Sequence, residues 1–412
     1  MDTDALALAE PPRLAPLAVE GGAARGVHRR PAVEGGAARR SGARSAVAEW
    51  WGVARAAGVV VMPAWFAAVM GTGIVAVALE LLPVRLPGAD VVAAGLWAVA
   101  AAVLVALAGA VAVVPRRRLR WRAALTDPAV APALGVPPMA VLTVGAATLL
   151  AGRHVVGLQP AVVLAGALWA VGTAGGLVAA VAVPAAMATR HRVRLDDVSG
   201  VWLLPVVPPL VSAATGAALV AHVPAGEARL DLLIILYALF GLGLLAALPT
   251  AGLVWARLLL HGSGPAERAP AVWVVLGPLG TSITAANLLG AASAHVVAAP
   301  TAGALQAFGL VYGLPVAGFA ALWLALAIGL TRHHAARDGV PFSAAWWSFV
   351  FPVGTLVTGT SELAGRTGSQ ALRGVALALF AGLVAAWAIT AARALAAAAA
   401  RAPAARRRRR PA

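Results

Sequence analysis

Inside the long apolar runs of this chain, the polar atoms at depth are hydroxyls, one amide and backbone groups. They gather in four strings. The first holds Pro63, Trp65, Phe66, Gly71, Thr72 and Gly73, and the second Pro205, Pro208, Pro209, Ser212, Thr215 and Gly216. The third holds Pro278, Gly280, Thr281, Ser282, Thr284 and Asn287, and the fourth Phe351, Pro352, Thr355, Thr358 and Gly359. Such groups exchange hydrogen bonds with a small solute without altering its covalent bonds, which suits a path for ions better than a reaction. No Asp, Glu, Lys, Arg or His falls at the centre of an apolar run. A charge there costs several kcal/mol and is retained where proton coupling or hydrolysis uses it. The chain therefore reads as no enzyme, with no cofactor and no metal. The adjacent His333 and His334, beside Arg332, read as solvated loop residues.

The elements that must position these groups are repeated. Five prolines, Pro63, Pro138, Pro209, Pro278 and Pro352, recur 75, 71, 69 and 74 residues apart, each early in an apolar run. Seven or eight residues later stands Gly71, Gly145, Gly216 or Gly359, with Ala285 in the fourth copy. At about 100° per residue, seven residues return to nearly the same side of a helix. A proline in a helix bends it and frees a carbonyl, which a membrane tolerates where protein or a water-lined cavity meets the freed group. Pro63, Pro138, Pro209, Pro278 and Pro352 are therefore expected to bend five helices around a common interior, with Gly145 on the same stripe as its counterparts.

A period near 70 residues is too long for a soluble solenoid unit and fits a pair of membrane helices. Composition agrees, at 61% apolar and 12% charged. The expected fold is an all-α integral membrane protein of ten spans arranged as five hairpins. Their approximate limits are 58–80, 89–114, 136–152, 160–184, 201–221, 231–257, 271–296, 302–330, 342–362 and 371–399. The second, fourth and tenth runs are almost wholly Ala, Val, Leu and Gly without internal proline, as an outer, lipid-facing ring requires, whereas Pro249 and Pro315 interrupt the sixth and eighth. Absence of cysteine excludes disulfides and thiolate chemistry.

Arginine sets the expected orientation. One alternate set of loops carries twelve (Arg116, Arg117, Arg118, Arg120, Arg122, Arg190, Arg192, Arg194, Arg257, Arg268, Arg332 and Arg337), against five in the other set (Arg85, Arg153, Arg229, Arg366 and Arg373). The richer side, and with an even span count both termini, is expected in the cytoplasm. Residues 1–57, where AVEGGAAR occurs twice, read as a disordered low-complexity cytoplasmic tail, 58–400 as the membrane domain, and 401–412, with Arg406–Arg410, as an arginine-rich cytoplasmic tail. The net charge of +16 does not point to nucleic acid, because no arginine patch is interleaved with aromatics on a soluble module.

In the ninth run, Phe349 and Phe351 stand about 200° apart on a helix. Phe351 is followed on its face by Thr355, Thr358 and Glu362, and Phe349 by Val353 and Leu356. A bulky ring on a face of hydroxyls is the pattern of a hydrophobic constriction. Arg366, four residues beyond Glu362, is placed to pair with it.

The strings PAWFAAVMGTGIVAVAL (Pro63–Leu79), VWLLPVVPPLVSAATGAAL (Val201–Leu219), VWVVLGPLGTSITAANLLG (Val272–Gly290) and PFSAAWWSFVFPVGTLVTGT (Pro341–Thr360) resemble the tellurite-resistance/dicarboxylate transporter family. That family includes bacterial tellurite-resistance proteins, yeast malate carriers, fungal sulfite efflux pumps and the slow anion channels of plant guard cells. The resemblance runs in order from about Val59 to Ala399. It implies a quasi-fivefold arrangement of the hairpins, odd helices lining a central pore, a homotrimer with one pore per protomer, and a phenylalanine plug that maps onto Phe351. The MGTGI and WW…FPVG strings are somewhat closer to the sulfite-pump and malate-carrier branches. The expected function is passage of a small anion (a C4-dicarboxylate, sulfite or another oxyanion) across the plasma membrane. A proton-coupled exporter and a non-conducting membrane scaffold are the alternatives.

Overall fold

Each repeat proline opens a helix. In the computed structural model, which describes residues 62–113 and 121–407, Pro63 is the second residue of α1 (Met62–Glu80). Pro138 lies in the first turn of α3 (Val136–Ala147), Pro208 and Pro209 begin α5 (Pro208–Ala217), Pro278 is third in α7 (Leu276–Ser293) and Pro352 second in α9 (Phe351–Thr367). The first turn has no use for the N–H that proline lacks, and the fixed φ suits it. The expected mid-helix bend is therefore corrected: these prolines start helices. Four of the five helices are preceded by a separate short turn, at Ala131–Gly135, Gly200–Leu203, Ala269–Trp273 and Ala344–Phe349.

Between them run the longer helices α2 (Ala89–Val113), α4 (Leu158–Arg190), α6 (Glu227–His261), α8 (Ala299–Arg337) and α10 (Gln370–Arg407). Interior prolines belong to this set, at Pro184, Pro249 and Pro315. The reading of the fourth run as free of internal proline is corrected, because α4 continues to Arg190 and encloses Pro184. The described residues are helical and without strand, and eight helical segments are long and apolar enough to cross a membrane. The fifth and ninth expected spans are not among the eight, since α5 has 10 residues and α9 has 17. Ten helical residues rise only about 15 Å, half a hydrocarbon core. The expectations for the tail 1–57, for Arg116, Arg117, Arg118 and Arg120, and for Arg408–Arg410 lie outside the described residues.

Contacts between the proline-led helices close a circle: α1 meets α3, α3 meets α5, α5 meets α7, α7 meets α9, and α9 returns to α1. Close approaches set their directions. Gly71 faces Trp347 while Gly354 faces Ile74, and Gly280 faces Thr355 while Thr284 bonds Thr358, so α1, α7 and α9 run parallel. Against their successors α3, α5 and α7 run the other way. Gly145 meets Ala165 and Leu168 while Gly172 meets Leu142, Gly216 meets Leu236 while Gly243 meets Leu210, and Gly290 meets Leu305 while Gly313 meets Ile283. Small residues let backbones come this close, and dispersion then holds the helices where lipid supplies no hydrophobic drive between them. Indole N–H groups tie the two sets together. Trp97 donates to Thr148 Oγ1 at 2.8 Å, Trp169 to the Ser212 carbonyl at 2.8 Å, Trp323 to the Val272 carbonyl at 2.9 Å and Trp387 to Thr72 Oγ1 at 3.2 Å.

Candidate functional site

One face of every helix in the circle turns toward a cavity of about 120 Å³. α1 supplies Ile74 and Val77 and the turn after it Leu81; α3 and the π-helical turn after it (Thr148–Gly152) supply Thr143, Ala146, Leu149 and Leu150. α5 supplies Val211, Ala214 and Thr215 and its C-cap Ala218, α7 supplies Thr281, Thr284 and Leu288, and α9 supplies Phe351, Thr355 and Thr358. The lining holds six threonines and no charged side chain. Phe351 precedes its repeat proline, whereas every other lining residue follows its own, so its ring stands at the end of the cavity nearest the helix starts. It is 5% exposed.

The threonines differ in what they can offer a ligand. Thr143 donates to the Met139 carbonyl at 2.8 Å, Thr215 to Val211 at 2.9 Å, Thr284 to Gly280 at 3.0 Å, Thr355 to Pro352 at 2.7 Å and Thr358 to Thr355 at 3.0 Å. A hydroxyl that back-bonds to its own helix turns lone pairs, not its proton, toward the cavity. Thr284 and Thr358 also meet across the helix boundary at 2.7 Å, where one of the two gives its single proton to the other in place of its own helix carbonyl. Thr281 is the exception, a buried hydroxyl without a hydrogen-bond partner.

Of the residues singled out from sequence, the structure brings Thr215, Thr281, Thr284, Phe351, Thr355 and Thr358 together on this lining. The others stand off it. Gly71, Gly73, Gly145, Gly216, Gly280 and Gly359 sit where helices or turns touch, and Pro138 and Pro208 pack against Gly175 and Gly176 of α4. Thr72 accepts the Trp387 bond, Ser212 donates to the Pro208 carbonyl, and Ser282 to Leu279. Asn287 donates to the Ile283 and Gly309 carbonyls, joining α7 to α8. Pro63, Phe66, Pro209, Pro278 and Pro352 are buried near the helix starts. Sequence reasoning missed Thr143, two residues before Gly145, for which the hydroxyl itself was a signal. It also missed the apolar lining of α1, α3 and α5, for which there was none.

Two expectations about charged groups are corrected. Arg366 gives an N–H to the Asn287 carbonyl at 2.7 Å, and among the described residues it forms no ion pair with Glu362. His334 is not solvated: it is 6% exposed, with its Nε2 unbonded and its ring edge-on to His333. Phe349 stands outside the cavity, its ring edge-on to Trp273 and Trp346.

Relatives carry transporter names. An uncharacterized transporter of Methanocaldococcus jannaschii is 29% identical over 299 residues, covering 72% of this chain and 81% of that protein. Sulfite efflux pumps named SSU1 from Trichophyton rubrum and Arthroderma otae are each 28% identical over 310 residues, covering 73% of this chain and 81% of theirs. The family model described as voltage-dependent anion channel, SLAC1, matches residues 61–395. With eight helical segments long and apolar enough to cross a membrane, a charge-free cavity and a family match over most of its length, this membrane-embedded chain belongs to the SLAC1 anion-transporter family, a family of transport rather than enzymatic type.

Proposed function

We propose that the cavity is the closed middle of a passive path for a small oxyanion, sulfite first among candidates, and that the Phe351 ring is its plug. The observation that carries this reading is the lining: one face of each of the five circled helices, six hydroxyls, no charge, and one aromatic ring at the end nearest the helix starts. At about 30 Å³ per water in the liquid, the cavity has room for about four waters or one small anion. It is well below the roughly 300 Å³ at which pockets for larger ligands begin. The names of the fungal relatives favour sulfite.

In this reading the broken segments around α5 and α9 complete two further crossings, giving ten spans in five hairpins with quasi-fivefold order. Short helices are tolerable there because they face protein and a cavity rather than lipid. The arginine-rich loops and both termini lie in the cytoplasm of the plasma membrane, and three copies associate through the outer helices, each with its own path. An anion entering past Phe351 needs donors. Thr281 offers one at once, and the back-bonded threonines supply others by rotating away from their carbonyls, at about 1 kcal/mol for each bond given up. With no titratable side chain on the lining, movement follows the anion's own electrochemical gradient.

The test is sulfite release from proteoliposomes containing the purified protein, with nitrate, chloride and malate for comparison. Passive passage predicts release down the sulfite gradient with equal pH on both sides. Release that occurs only when a pH gradient is imposed would replace this reading with a proton-coupled exporter, and no release of any anion would favour a scaffold.

A further inference from the structure

At the opposite end of the circle from the repeat prolines, three ligand-bearing side chains from three elements converge. Glu80 ends α1, Asp90 lies in the first turn of α2, and His154 belongs to the short helix Arg153–Val156 after the π-helical turn. His154 Nε2 stands 3.5 Å from Glu80 Oε1 and 4.0 Å from Asp90 Oδ1, and the three ligand atoms all lie within 4.8 Å of one another. The Glu80 side chain is only 4% exposed, and its Oε1 has no hydrogen-bond donor. A carboxylate withdrawn from water in this way needs a cation close by. Arg85 is near but engages Asp90, at 3.7 Å, and its side chain is 81% exposed.

Helix packing holds the cluster. Trp97 of α2 donates to Thr148 at the start of the π-helical turn, and its ring lies against Gly152, two residues before His154. Asp90, Trp97 and the turn bearing His154 are thus positioned by one helix, and Glu80 by the buried end of α1.

We propose that Glu80, Asp90 and His154 form a binding site for a divalent transition-metal cation of the zinc class. One imidazole nitrogen and two carboxylate oxygens make a donor set suited to such a cation. With bonds of about 2.0–2.1 Å, tetrahedral ligands stand roughly 3.3 Å apart, so the His154–Glu80 separation already fits, and the exposed Asp90 closes the remainder by a side-chain rotation. Three protein ligands leave the fourth position to water. The bound cation ties the loop after α1 to the turn after α3, beside Leu81, Leu149 and Leu150 of the cavity lining.

Binding is read without any flux measurement, so it stands or falls apart from the transport reading. Untagged full-length protein in detergent is titrated with Co²⁺ and followed by its visible absorption. The site predicts tetrahedral Co²⁺ bands that saturate at one equivalent and disappear on adding Zn²⁺. Affinity should fall at least about tenfold in His154→Ala and in Glu80→Gln, and stay unchanged when His333 and His334 are both replaced by alanine. His154 is partly exposed and on a short surface helix, so its variant keeps the test open should Glu80→Gln fold poorly. No saturable one-equivalent band, or a band undiminished in His154→Ala, would mean the cluster is an ion pair and overturn the proposal.

Discussion

In the apolar part of Ala266–Ser293, 89% of the residues are buried within the protein, against 17% in Ala89–Ala112. The exposed segment is the more apolar, with mean hydropathy 2.5 against 1.5. Soluble proteins sort the other way. Here the hydroxyls, the amide and the close-packed glycines face inward on α1, α3, α5, α7 and α9, while α2, α4, α6, α8 and α10 present valine and leucine outward, among them Val91, Val105, Val181, Leu245 and Val311. Lipid accepts the apolar surface at no cost, and only protein contacts satisfy the polar groups. The contrast also divides glycine by role. Gly280 of α7 lies against the backbone of Thr355 and Leu356, and Gly252 of α6 has open space around it.

That pair gives the largest expected effect. Gly280→Val pushes methyl groups into a neighbouring backbone that cannot yield, at a cost beyond the roughly 1–3 kcal/mol of ordinary overpacking, and the protein should lose its monodisperse peak in size-exclusion chromatography. Gly252→Val should elute as the parent does. Equal tolerance at both positions would dissolve the distinction between inner and outer helices. Next in size, Thr281→Val keeps the shape of the lining but removes its free donor, and sulfite flux should drop several-fold, about 1 kcal/mol in the barrier, while the melting temperature holds. Trp169→Phe deletes the 2.8 Å bond to the Ser212 carbonyl. It should cost about 1 kcal/mol, seen as a lower melting temperature with flux intact, because the bond lies between the helix sets and not on the cavity. Arg393→Ala, which removes the guanidinium 4.5 Å from the centre of the Trp346 ring, should have the smallest effect, about 0.5–1 kcal/mol of stability.

Much of this inside-out order was legible in the residues. Proline spacing marked the five helices of the circle, and the face analysis of Phe349 and Phe351 chose the ring that borders the cavity. What proline does there was not legible, because a proline early in an apolar run starts a helix or bends one depending on where the preceding turn breaks. That break is set by tertiary contacts such as Gly200 against the Ala271 backbone and Gly135 against Leu204. The apolar half of the lining was equally hidden. Ile74, Val77, Leu149 and Val211 follow the same pattern as residues that face lipid or a neighbouring helix, and periodicity alone cannot say which surface an apolar stripe meets. Hydroxyls announced themselves by type, yet Thr72 and Thr215 look alike in sequence and only the fold turns one toward Trp387 and the other toward the cavity.

The central claim is that Phe351 closes an anion path through the circle of proline-led helices. Its most direct test is sulfite flux through proteoliposomes containing Phe351→Ala beside the parent protein at equal folded content. Removing the ring should raise flux at least about tenfold, a barrier lowered by about 1.4 kcal/mol or more. Flux that stays at the parent level in Phe351→Ala, while substitutions at Thr355 change it, would contradict the account.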